Sequence, residues 1–231
     1  MQTKSYSLYQ LLEQFFASHE PVQMVRAGTV LFQEKESVES IYILLNGNIS
    51  IGRVHMRGKE LILKIVASKD VIIEYQVFTP NPRYHFSAKT MTDCQLLKIK
   101  KDKFEEFIQN DPDAMTAFAT FLSTSYLKAQ MKCQDLIMNG KKGGLYSILI
   151  RLCHSYGIIT EEGILIDVPL THQELANLTY GTREVIQRTL KELRELDVIS
   201  YHQQKFTVKN LSFLKREVDC QNCPYEICGL N

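Results

Sequence analysis

The 231-residue sequence predicts an α+β protein with a strand-rich N-terminal half, one long helix and a helix-rich C-terminal half. Three observations predict this order. Between residues 22 and 99, short β-branched runs alternate with Gly and polar turns, as in a small antiparallel barrel or sandwich. From 112 to 138 nothing breaks a helix, and from 145 onward helical periodicity returns between short hairpins.

Composition and charge exclude several classes of protein. Hydrophobic residues make up 45% and charged residues 23% of the chain, which is ordinary for a globular protein. No apolar run approaches the roughly 20 residues of a membrane span, and residues 1–10 lack the apolar core of a secretory signal. We therefore expect a cytoplasmic protein that binds no membrane. With a net charge of +1, it is no polybasic nucleic-acid binder, so any DNA binding needs a shaped element.

The N-terminal half begins with a predicted helix over 7–18, for which Ser7 is a candidate N-cap. A short helix over 101–109 follows the strands. Asp111 as N-cap and Pro112 at the first helical position then begin the long helix. The predicted strands are 28–32, 41–45, 48–52, 60–66, 70–73, 84–90 and 94–99.

The long helix carries apolar residues at spacings of three or four from Met115 to Ile137. Two interpretations of this stripe remain open. The helix packs along its length on the strand-rich half, or it pairs with a second copy in a homodimer. Asn139–Gly144 contains three glycines and is expected to end the helix and act as a hinge.

The C-terminal half predicts a winged helix-turn-helix. A helix over 145–156 and strands over 157–160 and 164–168 come first. Thr171 can cap a short helix, with Glu174 at the capping-box position, and Thr182 can cap a second helix after the tight turn Thr179–Gly181. A hairpin formed by 198–201 and 205–208 and a helix over 210–219 complete it.

The second helix of this motif would present polar residues to the DNA major groove. Arg donates two hydrogen bonds to guanine, and Glu accepts one from cytosine N4. An Arg and a Glu on one helix face can also be an ordinary surface ion pair. From residue 145 onward, nine Lys and Arg stand against eleven Asp and Glu, which favours a dimer that binds two half-sites. The outward residues are Arg183, Glu184, Gln187 and Arg188.

Three of the six cysteines, Cys220, Cys223 and Cys228, lie in the last twelve residues. Soft thiolates at this spacing suit an iron–sulfur cluster or zinc. Three ligands are one short for either, so the fourth would come from elsewhere in the chain, from the partner subunit or from solvent. Reduced cysteines without a metal are the alternative. Cys94 and Cys153 lie in apolar segments and are expected to be core thiols.

The strand-rich half, the long helix and the winged helix-turn-helix together resemble the Crp/Fnr family of bacterial transcription regulators over almost the whole chain. The winged helix-turn-helix carries the segment "LTHQELANLTYGTREVIQRTLKELRELDVI". The resemblance implies a β-roll over 1–110, a dimerisation helix over 111–140, a winged helix-turn-helix over 141–219 and a tail over 220–231. It implies that the protein is not an enzyme but a homodimer that binds a TGTGA-type DNA palindrome. RNA polymerase is the protein partner that the resemblance implies. Base-reading positions match Arg183, Glu184 and Arg188, and phosphate-contacting positions match Thr171, His172, Gln173 and Thr182. His172 can equally be an exposed helix-start residue.

The strand-rich half departs from the cyclic-nucleotide-binding members of the family. Their Gly-Glu-Leu cassette corresponds to Ile73-Glu74-Tyr75, and Arg83 is followed by Tyr rather than Ser or Thr. A β-branched residue blocks the close approach of the backbone to a phosphate. We therefore expect no cyclic nucleotide, and we expect Arg83 to be a surface or structural charge. A regulator that senses another small molecule in the barrel, with structural zinc in the tail, is the alternative.

The tail resembles the Fnr-type oxygen regulators of Bacillus and its relatives, which carry C-x2-C-P-x-E-I-C there. The resemblance implies a [4Fe-4S] cluster held by Cys220, Cys223 and Cys228, with Asp135 as the fourth ligand. It also implies that oxygen destroys the cluster and weakens DNA binding, so that the protein activates anaerobic genes. Cys133 is the second candidate for the fourth ligand. An iron–sulfur electron-transfer protein is a competitor, but the sequence contains no second cluster motif.

From the residues alone, Asp135 would be a solvated residue of a helix surface. Truncation at such a position costs within about 0.5 kcal/mol of stability. We therefore expect Asp135→Ala to leave the fold of the cluster-free protein intact.

Overall fold

A computed structural model of the chain describes residues 6–54, 58–220 and 222–230. The chain divides into two compact units. One comprises residues 1–53 and 63–124, and the other comprises 54–62 and 125–231. Within the described ranges, no helix is both long and apolar enough to span a membrane.

The N-terminal unit contains two β-sheets flanked by helices, which confirms the sandwich that the strand pattern predicts. Helix α1 begins after Ser7, whose hydroxyl and Gln10 form a capping box. Strand β1 escaped the prediction because it has only four residues; Val22 and Met24 are apolar but exposed. The elements are α1 (Leu8–Phe16), β1 (Val22–Val25), β2 (Val30–Phe32), β3 (Ser40–Asn46), β4 (Ile49–Val54), β5 (Glu60–Val66), β6 (Asp70–Ile72), β7 (Ser87–Thr90), β8 (Cys94–Lys100) and α2 (Lys101–Asn110).

The strands are ordered β1-β8-β3-β6 in one sheet and β2-β7-β4-β5 in the other. In the first sheet β3 pairs antiparallel with β8, with Ile43 opposite Leu97. Both side chains are fully buried in one apolar core. Gly47 turns the chain between β3 and β4 with φ +103°, and a Cβ there would lie 2.6 Å from the Cys94 sulfur. Only glycine fits this turn without strain.

The long helix α3 spans Pro112–Met138, and the Asp111 carboxylate caps it by accepting from the backbone N–H of Asp113. Its first turns pack into the N-terminal core through buried residues such as Phe118. Farther along, apolar residues at helical spacing stay exposed. They are Ala119, Leu122, Tyr126, Ala129, Cys133 and Ile137. The stripe is therefore open in a single chain over most of its length.

The hinge predicted over 139–144 is wrong for most of these residues, because they are helical. Helix α4 covers Gly140–Tyr156, so that only Asn139 separates it from α3. Gly140 makes the break with φ +60°, whereas Gly143 and Gly144 are helical and buried. A Cβ on Gly143 would lie 2.6 Å from the Cβ of Asn139 at the start of the same helix, and a Cβ on Gly144 would lie 3.0 Å from Leu136 Cδ2 on α3. Gly144 therefore permits the close approach of α4 to α3 where the sequence suggested flexibility.

The C-terminal unit continues as a winged helix-turn-helix, as predicted. The strands form one sheet in the order β11-β12-β10-β9. The hairpin and the recognition motif begin within one residue of their predicted positions. The elements are β9 (Gly157–Thr160), β10 (Gly163–Ile166), α5 (His172–Leu178), α6 (Arg183–Glu195), β11 (Ile199–His202), β12 (Lys205–Val208) and α7 (Leu211–Glu217).

Candidate nucleic-acid interface and metal centre

Both helices of the helix-turn-helix begin at the predicted caps. The Thr171 hydroxyl accepts from the backbone N–H of Glu174 at 3.2 Å, and the Glu174 carboxylate accepts from the Thr171 N–H at 2.6 Å. The Thr182 hydroxyl accepts from the Val185 N–H at 3.4 Å. The predicted turn Thr179–Gly181 separates them, and Tyr180 adopts a positive φ of +55° within it. Caps at both starts fix the direction in which α6 leaves the turn.

Helix α6 separates its polar and apolar faces sharply. Ile186, Leu190 and Leu193 are buried in the unit. The four outward residues, Arg183, Glu184, Gln187 and Arg188, of which all but Gln187 are predicted to read bases, are exposed over the first two turns. Hydrogen bonds from its own backbone N–H and from the Thr182 hydroxyl lower the pKa of Glu184. At neutral pH the first turns therefore present two guanidinium donors, one amide and one carboxylate acceptor to solvent.

The phosphate-contacting positions differ in how freely they reach solvent. Gln173 is exposed, and its amide nitrogen donates to the Asn177 Oδ1 at 2.9 Å. The His172 ring lies 5.3 Å from the Tyr201 ring, and burial together with the charges of Arg194 and Arg183 lowers its pKa. His172 is therefore neutral at pH 7 and packs on the wing, as a structural helix-start residue does. It still has one N–H to donate.

The cysteine tail forms a compact turn after α7. The Cys220 N–H donates to the Lys215 carbonyl at 2.9 Å, which continues the end of the helix. The N–H groups of Ile227 and Cys228 both donate to the Pro224 carbonyl at 3.1 Å. Gln221 and Asn231 of the tail lie outside the described residues. The backbone thus closes Cys223 and Cys228 into one loop.

This loop lies along one face of α4. The guanidinium of Arg151 donates to the Ile227 carbonyl at 3.3 Å, and the His154 ring nitrogen lies 3.1 Å from the Cys228 carbonyl. The Ser155 hydroxyl accepts from the Leu230 N–H at 2.8 Å. Residues spaced by three and four share one side of a helix. Side chains on this α4 face therefore hold the tail through its backbone.

Asp135 is not the solvated residue that the sequence suggested. Arg151 donates to its Oδ2 twice, from Nε at 2.9 Å and from Nη2 at 2.6 Å. The Arg151 side chain is only 3% exposed and that of Asp135 is 25% exposed. Asp135 is thus the counter-ion of a buried guanidinium, because an uncompensated charge there would cost several kcal/mol. No sequence signal identified Arg151, since it lies in an apolar helix 16 residues away.

Arg151 contacts both Asp135 and the tail that carries the three other predicted metal-binding residues. Burial raises the pKa of the Cys228 thiol; Arg151 lowers it, while Cys223, Cys220 and Asp135 raise it further. Three sulfurs and one carboxylate oxygen form a donor set suited to an iron–sulfur cluster. Within the described residues no three His, Cys, Asp or Glu converge tightly enough to hold one metal ion. Donors to a cubane cluster bind four separate irons and need not converge in that way.

The other three cysteines lie elsewhere. Cys94 and Cys153 are buried, which confirms them as core thiols, and burial raises the pKa of Cys153 to about 12. Cys133 is exposed on α3.

At the position that corresponds to the Gly-Glu-Leu cassette, the strand-rich unit contains an ion pair between two of its own side chains. Glu74 pairs with Lys64 at 2.7 Å, and burial removes most of both side chains from solvent. Arg83 is exposed and donates to the Lys35 carbonyl at 2.7 Å, which is the structural charge that the sequence suggested.

Comparisons with known proteins agree with this architecture. Residues 22–111 match the family described as "Cyclic nucleotide-binding domain", and residues 145–217 match the "Crp-like helix-turn-helix domain". The chain is 40% identical to the "Anaerobic regulatory protein" of Bacillus subtilis over 98% of its own length and 94% of that protein. It is 28% identical to the "Global nitrogen regulator" of Nostoc over 85% of the chain and 88% of that protein.

Solved structures share the fold at low sequence identity. FixK2 from Bradyrhizobium japonicum superimposes with a TM-score of 0.75 at 14% identity, over 85% of this chain and 96% of that one. A CooA variant from Carboxydothermus hydrogenoformans also gives a TM-score of 0.75, at 16% identity, over 94% of this chain and 98% of that one.

Proposed function

Because the chain belongs to the Crp/Fnr family of DNA-binding transcription regulators, we propose that it is an oxygen-responsive activator of anaerobic genes. It binds a TGTGA-type palindrome as a homodimer and works with RNA polymerase. A [4Fe-4S] cluster held by Cys220, Cys223, Cys228 and Asp135 is its sensor. The similarity to a protein named as an anaerobic regulator supports this physiological role.

The observation that carries the proposal is the meeting of the tail with Asp135. The tail is docked on α4, while Asp135 comes from the last turns of α3. Neither element is near the other in sequence, yet Arg151 of α4 donates both to the Asp135 carboxylate and to the Ile227 carbonyl of the tail. One side chain therefore holds Asp135 and the segment that carries the three thiols.

The same convergence supplies a route from sensor to DNA. When bound, a cluster would supply a cross-link that oxygen can destroy. This chain's own contacts define what the cross-link would join, because Asp135 ends the dimerisation helix and Arg151, His154 and Ser155 lie on the first helix of the DNA-binding unit. Fixing this junction orients α6. A coupling of about 1–3 kcal/mol is enough to change operator occupancy substantially.

The proposed DNA contacts follow from exposure and chemistry. Arg183, Glu184, Gln187 and Arg188 form one exposed polar surface on the first turns of α6, and Thr171, His172, Gln173 and Thr182 surround the helix starts. Two such surfaces in a dimer match two half-sites of a palindrome. The open apolar stripe of α3 supports dimerisation through residues 111–140, because an isolated chain leaves Leu122 and Tyr126 46% and 62% exposed.

The test is the metal content of anaerobically purified protein. We expect brown protein that contains iron and acid-labile sulfide in equal amounts. Replacing Cys220, Cys223 or Cys228 by Ser should abolish both, and Asp135→Asn should lower cluster occupancy. Cys133→Ser is the matched control, since it removes an exposed thiol from the same helix that carries Asp135.

Two outcomes would overturn parts of the proposal. Colourless protein that contains zinc would favour structural zinc in the tail and a small-molecule sensor in the barrel. Cluster loss in Cys133→Ser, together with full occupancy in Asp135→Asn, would assign the fourth ligand to the thiol.

A further inference from the structure

Arg151 is the one charged side chain of the described residues that contacts both Asp135 and the cysteine tail. Its Nε and Nη2 donate to the Asp135 Oδ2 at 2.9 and 2.6 Å, and its Nη1 donates to the Ile227 carbonyl at 3.3 Å. Its side chain is 3% exposed. A guanidinium stays charged at every accessible pH and holds its donors in a rigid plane. Arg151 therefore fixes two separate segments in one geometry.

The way in which Arg151 holds Asp135 leaves one oxygen for a metal. Both hydrogen bonds go to Oδ2, and in the described part of the chain Oδ1 accepts none. A carboxylate held through one oxygen presents the other in a fixed direction as a monodentate ligand. Such outer partners orient the ligands of protein metal sites.

The contact with the tail does the same for the thiols. The Ile227 carbonyl belongs to the residue that precedes Cys228, so the Arg151 bond sets the backbone from which that thiol projects. Three thiolates and one carboxylate carry four negative charges, and a buried cation beside them offsets part of the cost of collecting them.

We propose that Arg151 is the positioning residue of the sensor site: it directs Oδ1 of Asp135 toward the cluster and clamps the tail so that the carboxylate and the thiols face one another. The proposal rests on the proposed function, since it assigns a role toward the same cluster. It concerns how tightly and how long the cluster is held.

The experiment measures how fast the anaerobic, reconstituted protein loses iron to a chelator of ferrous iron, followed by visible absorption. Arg151→Met should lose iron about tenfold faster than the wild type, the lower end of what the loss of an outer-shell partner costs. Arg151→Lys keeps the charge but not the planar fork, and should fall between the two. Arg216→Met is the matched control, because Arg216 is exposed on α7 and contacts the Phe213 ring.

Combination with Asp135→Asn separates positioning from a merely structural role. If Arg151 acts partly through Asp135, the double variant should lose iron more slowly than the sum of the two single effects predicts, because the two changes remove one shared contact. Fully additive effects, or a wild-type rate in Arg151→Met, would overturn the proposal. Should Arg151→Met fail to fold by circular dichroism, the same cycle with Arg151→Lys decides. A wild-type protein without iron and sulfide refutes the proposed function itself, whereas a loaded protein indifferent to Arg151 refutes only this inference.

Discussion

Truncation of Asp135 tests the structure of the site without any metal. In the cluster-free protein, Asp135→Ala removes the counter-ion of Arg151, whose side chain is 3% exposed. The Ile227 carbonyl remains as an acceptor for one nitrogen, but Nε and Nη2 lose theirs. A surface aspartate would cost almost nothing, so the size of the effect distinguishes the two environments.

The structure sets the magnitude. Breaking a buried ion pair by removing one partner costs about 3–5 kcal/mol. The Asp135 side chain is 25% exposed, so that water can reach part of the vacated space. The change from Asp to Ala also returns a few tenths of a kcal/mol of helix propensity. We therefore expect Asp135→Ala to lower the free energy of unfolding by about 2–3 kcal/mol, against the 0.5 kcal/mol of a surface position.

Urea unfolding of the reduced, cluster-free protein, followed by far-ultraviolet circular dichroism, measures this cost. Asp135→Asn keeps an oxygen acceptor for Arg151 and should lose about half as much as Asp135→Ala. The double variant Asp135→Ala/Arg151→Met removes both charges and should recover most of the loss. Glu195→Ala is the matched control, since Glu195 pairs with Lys191 at 3.7 Å on an exposed helix face. If Asp135→Ala costs no more than Glu195→Ala, Arg151 does not depend on Asp135 and the derived site geometry is wrong.

Three further predictions concern the rest of the chain. Glu184→Ala should relax the preference at one base pair of each half-site by about 1–3 kcal/mol; a selected consensus identical to that of the wild type would refute the placement of α6. Tyr126→Asp places a charge in the stripe of α3 and should shift the dimer to monomer in light scattering, whereas a dimer at micromolar concentration would contradict the role of the stripe. Burial, together with the charge of Arg151, lowers the pKa of Lys132 to about 7. Lys132 then binds its proton more strongly in the unfolded chain than in the folded one, so the free energy of unfolding rises with pH. Between pH 7 and 9 the free energy of unfolding of the wild type should rise by about 2 kcal/mol more than that of Lys132→Met. Equal pH slopes in urea unfolding of the two proteins would contradict this.

The recognition motif was predictable because local chemistry determines it. Thr171 with Glu174, and Thr182 alone, mark helix starts through hydrogen bonds within three residues, and the structure contains all of them. The exposure of Arg183 and Arg188 follows from the spacing of the apolar residues on the other face.

The glycine segment after α3 shows where such reasoning fails. Sequence associates clustered glycines with flexibility, but a Cβ on Gly144 would lie 3.0 Å from Leu136 Cδ2 on α3. Close packing between consecutive helices is a tertiary property that periodicity does not encode. Strand β1 escaped prediction because it has only four residues and its pairing with β8, rather than burial, stabilises it.

The proposed metal site was predictable in its thiols but not in the residue that holds Asp135. Three cysteines within nine residues identify themselves through soft-ligand chemistry, and Asp135 came only from the resemblance to a family. Arg151 lies among apolar residues of α4, and its sequence neighbours give no sign of a charge partner. A buried ion pair between two helices becomes visible only when both are placed in space.

The central claim is that oxygen acts on DNA binding through the tail, and the affinity of one preparation before and after air exposure tests it most directly. Anaerobically reconstituted protein should bind a TGTGA-type palindrome about 5- to 150-fold more tightly than the same protein after air, which corresponds to 1–3 kcal/mol of coupling. Cys228→Ser protein should bind at the weaker level in both conditions. Equal affinity of the wild type with and without oxygen, at equal salt, would contradict the claim and leave a DNA-binding regulator whose signal lies elsewhere.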